Sequence, residues 1–221
     1  MLRIATHNVN GIRSAVRRGF GDWLAARDCD VVALQEVRCP AELIPAEAVA
    51  GYHLSYHAGV LAGRNGVALL TRTPPSAVRI GFGHRPTDEH GRYLEIDLDA
   101  PGHVPLTLGS LYLPKGATHD GPDADPAKYA RKVAFMRSFR AYLTRARREA
   151  GRRGREFAVM GDFNIAHAEL DLKNWRTSKR MEGFLSHERE WFGSLLGPRT
   201  LIDVVRHVVP GEQGPYSWWS W

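Results

Sequence analysis

Short apolar runs alternate with amphipathic stretches along the chain, and the two patterns predict different elements. Residues 31–34 (VVAL) and 66–71 (GVALLT) are almost entirely apolar, which is typical of strands buried on both faces. Residues 93–98 (YLEIDL) alternate apolar and acidic positions, which predicts a strand with one face in water. Further apolar runs predict strands at 2–6, 106–113 and 156–160.

Helical periodicity is clearest in residues 127–150. Large apolar side chains form one stripe along this segment: Tyr129, Val133, Met136, Phe139 and Leu143. Asp125 can cap the helix and Pro126 occupies a tolerated first position, while Gly151 and Gly154 are expected to end it.

Residues 14–30 and 186–198 also have helical spacing, whereas residues 200–205 fit either a helix or a strand. Strands and helices therefore mix along the whole chain, without an internal repeat or a break in composition. This organisation predicts one α/β (α+β) domain over residues 1–221.

Composition and charge narrow the functional classes only a little. The 221-residue chain is 43% hydrophobic, has a formal charge of +6 and favours a polyanionic partner. It has no apolar run long enough to span a bilayer and no secretion signal at its start, so we expect a cytoplasmic protein without a membrane partner. Its two cysteines, Cys29 and Cys39, lack zinc-site spacing and predict no disulfide framework.

Polar side chains follow the predicted strands at one relative position, the carboxyl end. They are Asn8, Asn10, Gln35, Glu36, Tyr112, Asp162 and Asn164. Taken singly, each has an ordinary explanation as a turn, a cap or a surface residue. Their coincidence at four strand ends favours a functional site, because sites in α/β sheets assemble where the strands end.

The side chains at these ends suit a hard metal ion. Asn8, Glu36, Asp162 and Asn164 offer the carboxylate and amide oxygens that Mg²⁺ or Mn²⁺ prefers. No zinc spacing of Cys and His and no Ser-His pair is evident. A metal that neutralises a phosphate, a carboxylate that handles water and neutral donors together suit phosphodiester hydrolysis.

Several segments resemble one known family. THNVNGIR, LQE, YLPKG and GDFNIAHAELDLKN are similar to the signature segments of exonuclease III and the apurinic/apyrimidinic endonucleases, within the endonuclease/exonuclease/phosphatase superfamily. LQE and GDFN are shared by the wider superfamily. DLKNWRTSKRMEGFLSHERE and YSWWSW resemble the DNA-repair branch specifically. The resemblance implies a four-layer α/β sandwich of two mixed β-sheets flanked by helices.

The resemblance also implies catalytic roles. Glu36 would bind the metal, with Asn8 beside it. Asp162 would activate the attacking water, Asn164 would hydrogen-bond the scissile phosphate, and Tyr112 would contact the same phosphate. The resemblance also implies that Asp162 and Asn164 belong, with Asn8 and Glu36, to the residues that bind the metal ion.

Contacts to DNA are implied for a second set of residues: Asn10, Gly11, Lys115, Lys179, Arg180 and Trp218. Asn10 and Gly11 would lie against the DNA backbone. Lys179 and Arg180 follow Ser178, which stands where many relatives have an asparagine that touches DNA. Trp218 would wall the pocket for a flipped-out abasic sugar, whereas Trp219 is expected in the core.

The resemblance implies a Mg²⁺-dependent phosphodiesterase that cuts DNA 5′ to abasic sites, with possible 3′-exonuclease or 3′-phosphodiesterase action. Its partner would be double-stranded DNA with abasic sites or 3′-blocked ends, and we expect a monomer. The family's C-terminal strands, with an aspartate motif and an Asp-His motif, have no counterpart in the sequence. We therefore expect a fold incomplete at the C-terminus and a chain with weak activity or none.

Three alternatives stay open at this level. The chain could be a catalytically inactive DNA-binding protein of the same fold, or a phosphatase of the same superfamily. The arginine-rich stretch 145–155 fits either a DNA-binding patch or the solvated end of a helix.

Overall fold

The computed structural model describes residues 1–122 and 124–217. The chain divides into two compact units, one formed by Met1–Leu113 with Ala141–Asp162 and the other by Pro114–Arg140 with Phe163–Trp221. Among the described residues, no helix combines the length and the apolar character needed to cross a bilayer. The expectation of a single domain over residues 1–221 stays a prediction.

The part of the chain that the structure describes contains eight strands, and all of them belong to the first unit. They are β1 (Ile4–Asn8), β2 (Val31–Gln35), β3 (His53–His57), β4 (Val67–Thr71), β5 (Ala77–Ile80), β6 (Tyr93–Leu98), β7 (Leu106–Tyr112) and β8 (Glu156–Asp162). The same unit contains α1 (Ile12–Arg17), α2 (Phe20–Arg27) and α3 (Arg85–Asp88). The long helix α4 (Pro126–Arg152) begins in the second unit and ends in the first, and the second unit also contains α5 (Trp175–Ser178), α6 (Ser186–Gly193) and α7 (Val204–Val208).

The strands form two mixed sheets of four strands each. Their orders are β1-β2-β4-β3 and β5-β6-β7-β8, with β1/β2 and β7/β8 parallel and the other pairs antiparallel. The sheets face each other through an apolar layer contributed by both: Val31, Ala33, Val67, Leu69, Leu94, Ile96, Leu98 and Leu108. The predicted arrangement of two mixed sheets flanked by helices is confirmed.

Helices cover the outer face of each sheet. On the first sheet, Val32, Leu34 and Leu70 pack in a second core that includes residues of α1 and α2. Strands β2 and β4 are therefore buried on both faces, as their continuous apolar runs predict. On the second sheet, the last turns of α4 lie over β6, where Tyr142 donates a hydrogen bond to Glu95 at 2.8 Å.

Three helix predictions differ from the structure, and one of them is the helix predicted over 186–198, which ends at Gly193 as α6. The segment 14–30 forms two helices rather than one, because Gly19 adopts a φ of 90°, in the left-handed region, and ends the first before α2 begins. The predicted long helix is present as α4, but it runs through Gly151 and ends at Arg152.

The prediction that β6 has one face in water is wrong. Glu95 and Asp97 are each only 3% exposed. Arg79 reaches across from β5 to bind both carboxylates, at 2.8 Å to Glu95 and 2.7 Å to Asp97. The alternation of apolar and acidic residues correctly predicts a strand. Its acidic face, however, is covered by α4 and neutralised by arginines that are distant in the sequence.

Asp97 is the centre of this buried ionic cluster. It accepts hydrogen bonds from Arg79, from Arg153 at 2.6 Å and from Thr107 at 2.7 Å. Burial acts to raise the pKa of Asp97, but the hydrogen bonds from Arg79, Arg153 and Thr107 outweigh it and hold that pKa well below its usual range. Part of the arginine-rich stretch 145–155 is thus occupied in structural ion pairs, since Arg155 also binds Asp99 at 2.7 Å.

Replacement of Asp97 by Asn should destabilise the chain at neutral pH by about 2 kcal/mol, because it leaves two guanidinium groups without their shared carboxylate. This loss of unfolding free energy is smaller than for a fully buried ion pair, because the Arg79 and Arg153 side chains are 36% and 37% exposed to solvent. Because the folded pKa of Asp97 is depressed, its stabilisation is present above the unfolded pKa of about 4 and is lost as pH falls through the folded pKa. Urea unfolding at pH 7 and pH 3 should therefore show a difference between parent and variant that narrows in acid.

Asp99→Asn is the matched control, because Asp99 lies two positions along the strand direction at the surface and also pairs with an arginine. It should have a much smaller effect. An equal loss for both variants, or a loss for Asp97→Asn that does not narrow at low pH, would contradict this account of the cluster.

Candidate active site

The carboxyl ends of four strands supply polar side chains to one edge of the first unit. Parallel pairing aligns Asn8 of β1 with Gln35 of β2, and Tyr112 of β7 with Asp162 of β8. The two pairs belong to different sheets, and the packing of the sheets brings their ends together. The Asn8 side-chain nitrogen lies 2.8 Å from Glu36 Oε1 and 2.8 Å from Asp162 Oδ2, so one amide bridges two carboxylates from separate sheets.

The backbone after β1 and after β2 turns sharply. Asn10, Glu36 and Arg38 have φ values of 46°, 53° and 53°, which non-glycine residues rarely adopt. The Asn10 amide donates to the Asn8 side-chain oxygen at 3.0 Å, and the Gly11 amide donates to the Glu36 carbonyl at 2.7 Å. The Asn8–Gly11 segment therefore forms the turn that its sequence suggests and also carries a side chain into the carboxylate cluster.

Tyr112 is fixed against the cluster by two neighbours. Its hydroxyl lies beside the Glu36 carboxylate. The Arg92 guanidinium lies 5.0 Å from the centre of the Tyr112 ring and donates to the Tyr112 carbonyl at 3.2 Å. Burial, followed by the charge of Glu36, raises the pKa of Tyr112 above its ordinary value, so the phenol is a neutral donor at physiological pH.

Arg92 supplies a partly buried positive charge beside the carboxylates. Burial lowers its pKa, while the charges of Tyr112, Glu36 and Asp162 act to raise it. Arg38 also forms an ion pair with Glu36 through its Nη2. The cluster thus contains two carboxylates and two guanidinium groups, which reduces the repulsion between Glu36 and Asp162.

Gly161 explains how Asp162 reaches its position. Its φ is 138°, and a Cβ atom there would lie 2.1 Å from the carbonyl oxygen of Leu111 on β7. Only glycine permits this approach of β8 to β7. The Asp162 carbonyl then accepts the Leu113 amide at 2.8 Å, which extends the pairing of the two strands past the end of β8.

The second unit contains the other predicted site residues. Asn164 follows Asp162 by two positions and has a φ of 47°; its carbonyl accepts a hydrogen bond from Lys132 at 3.0 Å. Lys115 is 73% exposed and pairs with Glu182 at 3.3 Å. Lys179 lies 4.6 Å from the centre of the Trp175 ring and pairs with Glu169 at 3.7 Å, while Arg180 is exposed. Trp218 and Trp219 lie outside the described residues.

The cluster around Asn8 has the donor chemistry for Mg²⁺. This ion is commonly held by one or two carboxylates while water and substrate phosphate complete its shell. Glu36 and Asp162 meet that requirement. Asn8 presents its nitrogen to them and turns its oxygen to the Asn10 amide, so in this arrangement it positions the carboxylates. Within residues 1–122 and 124–217, no group of three or more His, Cys, Asp or Glu side chains forms a ready-made metal cage.

The sequence analysis missed Arg92, Arg38 and Lys132. Arg92 precedes β6, which runs antiparallel to β7, so it lies beside the end of β7 where Tyr112 stands. In the sequence, Arg92 is recognisable only as an arginine directly before a predicted strand. Its place beside Tyr112 follows from the pairing of β6 with β7, which the sequence does not reveal. Lys132 lies on a helix whose other basic residues are mostly exposed. Nothing in the sequence around Lys132 distinguishes this buried lysine from the exposed ones.

The sequence matches the endonuclease/exonuclease/phosphatase family over residues 5–221. The chain belongs to this family. Over its whole length it is 30% identical to DNA repair nuclease APEX1 of Danio rerio and 28% identical to a DNA-(apurinic or apyrimidinic site) endonuclease of Dictyostelium discoideum. It spans 67% and 57% of those two proteins. It is 27% identical to an exodeoxyribonuclease of Bacillus subtilis (strain 168), of which it spans 81%.

Solved structures of this family share the fold. An AP endonuclease from Archaeoglobus fulgidus matches 96% of the chain with a TM-score of 0.77 and 27% identity, over 76% of its own length. The AP endonuclease LMAP from Leishmania major matches 99% of the chain, and 73% of its own, with a TM-score of 0.78; at 22% identity this likeness concerns the fold alone. The predicted family and fold are confirmed, whereas the roles of the individual site residues stay predictions.

Substitution of Gly161 by Ala should both destabilise the chain and displace Asp162, because the new Cβ would collide with the Leu111 carbonyl. We expect a loss of about 3 kcal/mol in the free energy of unfolding, in the range of strong backbone incompatibility. Thermal unfolding measures it.

Gly151→Ala is the control for this glycine. It lies inside α4 with open space around the position of a Cβ atom, so the same substitution should stabilise the chain by about 0.5–1 kcal/mol. Tolerance of alanine at position 161 would show that β7 and β8 can separate at this point.

Proposed function

We propose that the protein is a Mg²⁺-dependent phosphodiesterase of DNA repair. It hydrolyses the DNA backbone 5′ to abasic sites and also acts at 3′ ends as an exonuclease or phosphodiesterase. The observation that carries the proposal is the Asn8 amide bridging Glu36 and Asp162 beside the neutral Tyr112 phenol. The names of the relatives support the choice of DNA and of abasic sites over other phosphodiesters.

Glu36 and Asp162 would hold the ion, with Mg²⁺ as the first choice and Mn²⁺ as a substitute. When bound, such an ion neutralises charge on the scissile phosphate and polarises its oxygens. Asn8 keeps the two carboxylates at a fixed separation, since its amide nitrogen donates to both. Arg38 and Arg92 limit the build-up of negative charge in the absence of substrate.

Hydrolysis then needs a proton acceptor for water and donors for the phosphate. Asp162 takes a proton from the attacking water as the new P–O bond forms, and the P–O3′ bond breaks with the departing O3′ taking a proton from solvent water. Tyr112 donates its hydroxyl proton in a hydrogen bond to a phosphate oxygen, and Asn164 donates its side-chain amide to the same phosphate. These neutral donors stabilise the charge that develops in the transition state.

DNA would bind through backbone contacts from Asn10, Gly11, Lys115, Lys179 and Arg180. The net charge of +6 supports binding to a polyanion. The role of Trp218 as the wall of the abasic pocket is part of the proposal and rests on the family resemblance. We further propose that the protein acts as a cytoplasmic monomer on nucleoid DNA.

A labelled duplex with one abasic site tests the proposal. The protein should cleave it with Mg²⁺ and stop with EDTA. Asp162→Asn should reduce kcat by about 10²–10⁴-fold, the usual contribution of a general base, with little change in affinity for uncleaved DNA. An intact duplex and inositol phosphates are assayed in parallel, together with a chain extended at its C-terminus, because the relatives are longer than the chain.

The outcomes separate the candidates. Mg²⁺-dependent cleavage at the abasic site by either form supports the proposal, and cleavage only by the longer form assigns part of the machinery to the added segment. Tight binding of abasic DNA without cleavage by either form favours a DNA-binding protein. Hydrolysis of inositol phosphates with intact abasic DNA favours a phosphatase.

Tyr112→Phe should lower kcat by about 10²-fold, because it removes one donor to the phosphate while the ring stays against Arg92. The melting temperature should change little. Tyr142→Phe is the matched control, since it removes a tyrosine hydroxyl that hydrogen-bonds Glu95 on the outer face of the second sheet. That variant should lose some stability and keep its kcat. Similar kcat values for Tyr112→Phe and the parent would remove Tyr112 from the mechanism.

A further inference from the structure

A buried ion pair in the second unit joins three stretches of backbone. Lys132 on α4 and Glu188 on α6 are 3% and 1% exposed, and Lys132 Nζ lies 2.5 Å from Glu188 Oε1. The same ammonium donates to the carbonyl oxygens of Lys115 and Asn164, each at 3.0 Å. A primary ammonium has three N–H donors, and here they meet acceptors from three separate segments.

Glu188 extends the network from its other oxygen. Oε2 accepts the backbone amides of Gly183 at 2.7 Å and Leu185 at 3.1 Å. The Gly183 carbonyl in turn accepts the Ala166 amide at 2.8 Å. The segment that begins at Asn164 is therefore held at two points, by Lys132 directly and by Glu188 through the loop before α6.

Two glycines show how closely the loops are seated on this pair. A Cβ atom at Gly116 would lie 2.5 Å from Cδ of Lys132, and one at Gly183 would lie 3.1 Å from the Asn164 carbonyl oxygen. Both glycines have positive φ values, 79° and 87°. The backbone of residues 115–116 thus rests directly on the lysine stem, and residue 183 rests on the Asn164 peptide.

Stability alone is a poor explanation for this arrangement. A buried ion pair loses hydration that its mutual attraction only partly offsets, and apolar residues of similar volume commonly stabilise a protein as well or better. What apolar side chains cannot do is fix carbonyl oxygens in place. The pair specifies where the backbone of Lys115 and Asn164 lies, and Asn164 has a φ of 47°, in the left-handed region that asparagine tolerates better than most side chains.

We propose that Lys132 and Glu188 are positioning residues. They fix the Asn164 peptide, and with it the side-chain amide that is proposed to contact the phosphate. They also hold the backbone of Lys115 in place. The inference rests on the proposed function for its effect on catalysis. It assigns no contact with substrate to either residue. Both act through backbone groups of residues that do.

The first test is the double variant Lys132→Met/Glu188→Gln. It removes the ammonium donors, leaves no unpaired buried charge and keeps a side-chain oxygen for the Gly183 and Leu185 amides. We expect kcat on abasic DNA to fall by about 10²-fold, the effect of a small displacement of a catalytic group. The Kd for uncleaved duplex should stay within about threefold, since Lys115 is exposed and keeps its charge.

The matched control is Arg206→Met/Asp171→Asn. This pair also belongs to the second unit, with an Nη2–Oδ1 distance of 2.8 Å and side chains 16% and 22% exposed. It contacts neither Lys115 nor Asn164 among the hydrogen bonds of the described residues. Its loss should lower the melting temperature and leave kcat within about twofold of the parent.

A double-mutant cycle with Asn164→Ala distinguishes positioning from a general loss of structure. If the pair acts through Asn164, its replacement in the Asn164→Ala background should lower kcat by no more than about threefold further. A full 10²-fold additional loss would overturn the inference, because the pair would then affect catalysis independently of Asn164. Unchanged kcat in the double variant of an active parent would overturn it as well.

Hydrogen–deuterium exchange provides a readout independent of activity. The amides of Ala166 and Gly183 should exchange at least about tenfold faster in Lys132→Met/Glu188→Gln and at the parental rate in the control pair. Failure of both the chain and its C-terminally extended form to cleave abasic DNA would refute the proposed function. Faster exchange in that case would still support backbone positioning by the pair, whereas unchanged exchange would refute it.

Discussion

Two mixed sheets pack face to face through a single apolar layer, and the position of the polar groups at the strand ends follows from that packing. Residues of β2 and β4 meet residues of β6 and β7 in this layer. Its registry places the end of β1 opposite the end of β8, so that one Asn8 side chain reaches both Glu36 and Asp162. A slip of β1 or β8 by one residue within its own sheet would turn Asn8 or Asp162 to the opposite face, since side chains alternate between faces with a period of two.

Among the described residues, the buried charges Glu95, Asp97, Lys132 and Glu188 are all paired, but the ion pairs of the chain differ in what they do. On the outer face of the second sheet, Arg79 of β5 and Arg153, directly after α4, neutralise Asp97 and hold the end of that helix against β6. In the candidate active site, Glu36 and Asp162 are bridged by a neutral amide and flanked by arginines. Asp97, by contrast, is bound by two arginines and by Thr107.

Unfavourable backbone geometry is concentrated at the strand ends. Asn10, Glu36, Arg38 and Asn164 have positive φ values although they are not glycines, and Gly161 sits where any side chain would strike the neighbouring strand. Each such conformation costs on the order of 1 kcal/mol or more and persists only where surrounding contacts enforce it. In this chain those contacts are the Asn8 turn, the β7–β8 pairing and the hydrogen bond from Lys132 to Asn164.

The sequence by itself determined the family, the mixture of strands and helices and the residues that gather at the strand ends. Continuous apolar runs identified β2 and β4, and an apolar stripe identified α4, because burial imposes those periodicities locally. The motifs around Asn8, Glu36, Tyr112 and Asp162 were recognisable because they are contiguous in the chain.

Tertiary structure alone decided which side chains meet. The sequence predicted a solvent-exposed acidic face on β6. No residue near Glu95 and Asp97 in the sequence indicates that Arg79, Arg153 and a helix cover them in the fold. Arg92 became a neighbour of Tyr112 only through the antiparallel pairing of β6 and β7, and Lys132 became a buried anchor only through Glu188, 56 positions away by their residue numbers. The pattern of apolar and polar residues in a segment indicates which of its faces is buried. An ion pair between residues distant in the sequence depends on the fold that brings those residues together.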